Sequence, residues 1–450
     1  MNQPHDVEII LSHDRKYPFH ASTLARSSVF FASMLTETSA ARLSTKAKNA
    51  GVTKRWLIEL IEMPSAQYPA GQLELIVSEL NSNGGRADGW AGRVLNENGR
   101  VPTKIFKYWE RVLYAFYGTE IRIADDDMGA ALVDCIGLIE VAEYLGCVNL
   151  IGKPVEVALL KHGQVLFRSI QANPQGWANM SFRIRSELIF RESIIHLAGN
   201  WNTWKRNRTT LQGLTKTPEA RRLAEKYHRR LLERSRALEN KLASHYPPKI
   251  AAPKEDLPVK REEYAKDILI WMALCWFRQW LAHKIIANKG YNADDGGFSL
   301  YEAIGAGGDA YMDKAVLSQF HAMFPITKKA LNVIENHVCE IKELMQSWVV
   351  KSGLLKSNCQ LNIEQFPVSY ITCTEFERAD FPWLEDEQPA PPVRKGKRPG
   401  GNDIAQRNLE AAKRHQQHQE VNFGEEDGVI DEEDEEEEPM RAPKRGRIQQ

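Results

Sequence analysis

His20 stands in YPFHASTLARSSVFFASML, residues 17–35, within a few positions of Asp14, Ser22 and Ser27. A histidine, a hydroxyl and a carboxylate are the parts of a general-base nucleophile system, which works only when they lie within hydrogen-bond reach of one another. No G-x-S-x-G elbow or comparable turn holds a serine in place here, so no catalytic residue is assigned and the chain reads as a non-enzyme. Two glycine-rich stretches fail as ligand loops. AIGAGGDAY, residues 303–311, is neither a P-loop nor a G-x-G-x-x-G, since no Lys-Ser or Lys-Thr follows its glycines; it reads as a helix connection. NADDGG, residues 292–297, lacks the alternating oxygen ligands and the closing glutamate of a calcium loop and reads as a turn. The cysteines, at 135, 147, 275, 339, 359 and 373, form no CxxC, and none lies near a histidine at zinc-ligand spacing. Neither a structural zinc nor another cofactor is therefore expected.

The elements that would position these residues follow from patterning. The 450 residues, 43% of them hydrophobic and with 59 basic and 59 acidic side chains, suit two or three domains. Scattered cysteines and an opening MNQPHDVEII without a signal peptide predict a reducing intracellular setting. The longest apolar run, residues 268–277, falls well short of the roughly 20 residues a membrane span needs, so no membrane partner is expected. Alternation predicts a strand over 6–12, a short second strand at 17–20 and a third at 56–61. Helices are expected over 22–35, capped by Ser22 or Thr23, over the amphipathic 72–80, over 104–117 and over 128–138. Residues 81–103 read as a loop and 120–123 as a short strand. From 152 to 380 the pattern is helical, including a basic helix over 218–245, a Trp-rich helix through 271–280 and another over 328–350, with a proline-rich linker near 246–260. Like-charge blocks without apolar periodicity predict disorder over 381–450, firmest from 386, apart from a transient helix at 403–418.

The N-terminal order of strand, hairpin, helix, strand and helical pair resembles the BTB/POZ domain. The residues that carry it are DVEIIL, then Phe19, His20, Leu24, Ser27 and Phe30 with Met34 beyond, then FKYWERVLYAFYGTEIRI, and finally Ala142, Leu145 and Leu150 in LIEVAEYLGCVNLI. The resemblance covers residues 6–151, and residues 152–205 are similar to the helical extension of many filamentous-fungal BTB proteins. The family's basic residue after the histidine is missing, since Ala21 follows His20. The resemblance implies an α+β domain over 1–160, a small three-stranded sheet with a helical cluster, followed by a mostly α-helical region over 161–380 and the charged tail. It implies homo- or hetero-oligomerisation, with Phe19, Leu24, Phe30 and Met34 either filling the core or forming the surface for a second chain, and with His20 structural. It also implies docking of cullin-3 as a ubiquitin-ligase adaptor through Tyr108, Trp109 and Glu110, an apolar-x-Glu pattern in which an anchor fills a pocket and a carboxylate orients it.

A second reading rests on charge. The basic helix carries Arg221, Arg222, Lys226, Arg229, Arg230, Arg234 and Arg236 beside a stripe of Leu223, Tyr227, Leu231, Leu238 and Leu242. It could contact phosphates of nucleic acid, although a docked stripe is the plainer reading and no base-reading module accompanies it. The tail carries Arg394, Lys395, Lys397 and Arg398, then Lys444, Arg445 and Arg447, as nuclear localisation clusters around an acidic block, Asp431 to Glu438. Together these describe a nuclear chromatin-associated protein that binds DNA or histones.

Overall fold

The computed structural model describes residues 4–12, 14–76, 80, 103–246 and 261–386. Val7, Ile9 and Leu11 on one face of strand β1 (Val7–Ser12), and Ile10 on the other, are buried. A strand apolar on both faces belongs in the middle of a sheet. β1 is accordingly flanked by antiparallel β2 (Arg15–Phe19) and parallel β3 (Trp56–Glu62), and β4 (Gln72–Leu75) closes the far edge in the order β2-β1-β3-β4. The sheet therefore has four strands rather than three. A parallel neighbour requires a crossover, which α1 (Ala21–Ser27), α2 (Val29–Met34) and α3 (Thr45–Asn49) supply.

Two expectations are corrected here. Residues 72–75 form a strand, not the start of a helix: buried Leu73 alternates with exposed Glu74, and both pair with β3. The helix expected over 22–35 is two helices. Ser28 breaks it in extended conformation, caps α2 by accepting from the Phe31 N–H at 3.1 Å, and donates to the Leu145 carbonyl at 2.5 Å. Residues 120–123 carry no strand.

Helices α4 (Thr103–Ala115), α5 (Met128–Tyr144), α6 (Val148–Leu160), α7 (Gln164–Ala172) and α8 (Pro174–Ile184) complete the first core, which runs on to Ile189 and so passes the boundary expected at 160. α5 starts at Asp127, whose carboxylate accepts from the N–H groups of Gly129 and Ala130. Gly137 within α5 has no substitute: a Cβ there would stand 2.3 Å from the Tyr108 ring.

The second core is mostly helical. α9 (Glu187–Gly199) buries ten of its thirteen residues, with Glu187, Leu188 and Arg191 partly exposed. Around it lie α10 (Trp201–Trp204), α11 (Arg208–Leu214), α12 (Pro218–Ser244), α13 (Arg261–Ile286), α14 (Phe298–Ala306), α15 (Lys314–Met323), α16 (Lys328–Ser352) and α17 (Pro382–Asp386). Ala273, Leu274, Phe277 and Leu281 of α13 share this core with Ile334, Val338, Ile341, Met345 and Val349 of α16. Phe381 and Trp383 are buried in it too, so the folded chain continues past 380. No helix among the described residues is long and apolar enough to cross a membrane. The expected loop over 81–102, the linker over 247–260 and the tail from 387 lie outside the described residues, as do the helix at 403–418, the acidic block and all seven basic residues assigned to nuclear localisation.

Candidate functional site

The residues that the BTB resemblance singled out are placed in or against the first core. Phe19 and Leu24 are fully buried; Phe30 and Met34 are half-buried against the same cluster, and Ser27 is exposed. His20 is the N-cap of α1, where the hairpin hands over to the helix. Its backbone N–H donates to the Tyr117 hydroxyl at 2.8 Å, and its Nδ1 lies 3.0 Å from that oxygen. It thus ties the corner to the turn after α4. The Tyr117 hydroxyl is a partner of both the His20 backbone and its imidazole.

Tyr108, Trp109 and Glu110 do not form a docking surface, and the cullin assignment is corrected. The Tyr108 hydroxyl donates to Asp134 at 3.1 Å, and burial and that carboxylate push the phenol up to about 12. Trp109 is fully buried, with Nε1 donating to the Ala70 carbonyl at 3.0 Å. Glu110 turns back to the sheet, where it accepts from Arg15 and the Tyr17 hydroxyl. The helical period sends 109 into the core and gives its neighbours internal polar partners, leaving no anchor for a second chain.

The basic helix α12 is a docked element. Every residue of its apolar stripe is buried. Several of its cations are engaged by the chain itself: Lys226 donates to Asp380 at 2.6 Å, Arg230 to Glu377 at 2.6 Å, and Arg234 to the carbonyls of Ser352 and Cys373. Arg222, Arg229 and Arg236 are exposed. The helix is a clamp on the segment that follows residue 370, and its stripe is docked as the plainer reading of the pattern expected. Burial works against ionisation of Asp380, but hydrogen bonds from Lys226 and Tyr227 outweigh it and hold the carboxyl below its ordinary value of 3.8. A carboxyl whose folded pKa is depressed contributes stability above its unfolded pKa and loses it as pH falls through the folded one. Asp380→Asn is therefore expected to unfold at lower urea than the wild type at pH 7, with the difference shrinking as pH falls below 3.8 through the lowered folded-state pKa. A difference that stays constant over that fall would contradict the contact.

A polar cluster that sequence reasoning missed lies on α9. Glu192, His196 and Gly199 recur at the spacing of one helix face. Glu192 and His196 are fully buried, with Nε2 of His196 3.3 Å from a Glu192 oxygen. The carboxylate accepts from the N–H groups of Gln360, at 2.8 Å, and Leu361, at 3.2 Å. Nδ1 of His196 lies 2.9 Å from the Tyr370 hydroxyl. Gly199 lets this segment press in, because a Cβ there would stand 2.2 Å from the Ile371 carbonyl oxygen. Cys359 completes the group; its Sγ is 2.9 Å from Ser357 Oγ and donates to the Leu361 carbonyl. Burial pushes the Cys359 thiol above its ordinary value, so it is not an activated nucleophile. The partners are more than 160 residues apart in sequence, and no local spacing could have revealed them.

Exposed apolar side chains are scattered over the described residues, Val29 and Ile286 the most open of them, and one group lies on α15 and beside it. Val316, Phe320 and Met323 fall on one face of α15 by their spacing. Phe320 stacks on Trp276 of α13 with ring centres 5.0 Å apart, which fixes the helix. Met323 is 71% and Phe324 56% exposed, an uncommon state for adjacent large apolar side chains. Val316 also borders a cleft of about 380 Å³ lined by Trp280, Lys284, Leu300, Ala303 and Tyr311. The Trp280 and Tyr311 rings lie 4.8 Å apart, and Lys284 reaches over Trp280. The apolar ridge thus borders an aromatic cleft whose rim carries Lys284 and Lys289 together with Asp309 and Asp313.

Comparison with known proteins does not support the BTB reading. No BTB/POZ match is found, and neither a curated protein nor a solved structure matches the chain. With the BTB assignment goes the oligomerisation and cullin-3 adaptor function drawn from it. Residues 247–352, from the end of α12 through α13, α14, α15 and α16, are similar to the FF domain in its fungal form.

Proposed function

We propose that this chain is a non-enzymatic protein-interaction protein, and that its FF-like segment presents the partner surface through the ridge of Val316, Met323 and Phe324 and the adjoining cleft. FF domains are generally protein-interaction modules. The observation that carries the reading is the coincidence of the matched residues, 247–352, with the largest adjacent pair of exposed apolar side chains, Met323 and Phe324. Aromatic and methionine side chains are the types that dominate binding at the centres of interfaces, where a few residues supply most of the affinity.

Affinity purification of the full chain, compared with a Met323→Asp, Phe324→Asp variant, tests it. Both positions are open to water, so the variant is expected to melt within about 2 °C of the wild type. Retention of the specifically bound proteins is expected to fall by about tenfold or more, the cost of losing a hot spot. Recovery of the same proteins in the same amounts by the folded variant would remove the ridge from the proposal.

A further inference from the structure

We propose that Glu192, His196 and Cys359 form a binding site for a divalent cation of the zinc class. Their donor atoms, a carboxylate oxygen, Nε2 and Sγ, all lie within 4.8 Å of one another. Oxygen, nitrogen and sulfur together are a borderline-soft set that selects zinc or a similar first-row metal over magnesium or calcium. The separation of Glu192 Oε1 from His196 Nε2, 3.3 Å, is long for an N–H···O hydrogen bond. It equals the edge of a tetrahedron with metal bonds of about 2.0 Å, roughly 3.3 Å.

The surroundings support ligation. The Tyr370 hydroxyl at 2.9 Å from Nδ1 fixes the His196 ring so that Nε2 faces Glu192, the outer-shell arrangement that metal-ligating histidines use. The N–H groups of Gln360 and Leu361 orient the carboxylate in the same way. Glu192 and His196 are on consecutive turns of a buried helix, while Cys359 is half-buried, its Sγ within 4.8 Å of both other donor atoms, and closes to roughly 3.5 Å, the tetrahedral edge for metal bonds of about 2.3 and 2.0 Å. A water is the fourth donor. On binding, the S–H bond of Cys359 breaks, a sulfur–metal bond forms, and one proton leaves to solvent. A dication with one carboxylate and one thiolate is then neutral overall, which suits a buried site.

The full chain, stripped with a chelator and dialysed, is titrated with cobalt(II). One equivalent is expected to bind with tetrahedral d–d bands and a thiolate-to-cobalt charge-transfer band, and zinc is expected to displace it. Cys359→Ser should abolish the charge-transfer band and weaken binding by at least about tenfold, the lower end of what loss even of an outer-shell partner costs. A Cys275→Ser, Cys339→Ser variant, which removes the two exposed thiols, should keep both bands. Should Cys359→Ser melt early, Glu192→Gln, which keeps an acceptor for Gln360 and Leu361, is expected to lose tight binding while remaining folded. Absence of stoichiometric binding overturns the proposal. So does a charge-transfer band that survives Cys359→Ser or disappears with the exposed thiols.

Discussion

Replacing Trp109 with alanine is expected to lower the free energy of unfolding by about 3–5 kcal/mol. The indole is fully enclosed, packs edge-on against Tyr144 at 5.8 Å and donates to the Ala70 carbonyl. Truncation leaves a cavity where α4 meets the sheet and an acceptor without its donor, each of which adds to the cost. Trp109→Phe fills most of the volume and is expected to cost less than half as much. Urea unfolding of both variants against the wild type gives the measurement. A loss within about 0.5 kcal/mol for the alanine variant is what an exposed residue shows and would contradict the burial. The same experiment explains why a three-residue apolar-x-Glu pattern carries little information. Tyr, Trp and Glu in a row on a helix satisfy a core, an internal hydrogen bond and an ion pair equally well.

Glu192→Ala is expected to be comparably damaging, by about 3–5 kcal/mol, for an electrostatic reason. It strips the partner from the backbone N–H groups of exposed Gln360 and buried Leu361 and from the fully buried His196. Desolvated donors left without acceptors cost more than the hydrogen bonds themselves contribute. Glu192→Gln retains an acceptor and is expected to cost about 1–2 kcal/mol. Measured with a chelator present, unfolding reports on the protein contacts alone. Hydrogen exchange at the amides of 360 and 361 should accelerate in the alanine variant before global unfolding does, because the loss is local. Slow exchange there, with wild-type stability, would show that the carboxylate is not what holds the segment.

Local patterning revealed much of the fold. The apolar pattern of residues 6–12 marked a strand, and the stripe from Leu223 to Leu242 marked the buried side of α12. Gln72 to Leu80 misled because Leu73, Ile76 and Leu80 satisfy a helical period while Leu73 and Leu75 satisfy a strand. Pairing with β3 decided between them, and pairing is not a local property. The family resemblance went astray for a related cause. A hairpin, a capped helix and an amphipathic helix ending in Tyr-Gly are elements that physical chemistry favours in many folds, so their succession over 6–151 is weaker than a matched family. The informative segment, 247–352, offered only tryptophans and apolar runs. What makes it a candidate surface is which of those side chains stay outside once α13 and α16 have packed. The Glu192 cluster was illegible for the simplest reason: its two halves meet only when residues 196 and 370 do.

That separation has a consequence for biosynthesis. The acceptor at 192 leaves the ribosome 168 residues ahead of the amide at 360. At 5–20 residues per second the interval is roughly 8–34 seconds. Throughout it, α9 is a nascent helix with a carboxylate on a face destined for the interior and nothing to meet it. The second core can close only after residue 361 has emerged, so release of a product truncated before it should yield a species that chaperones retain rather than a smaller folded protein.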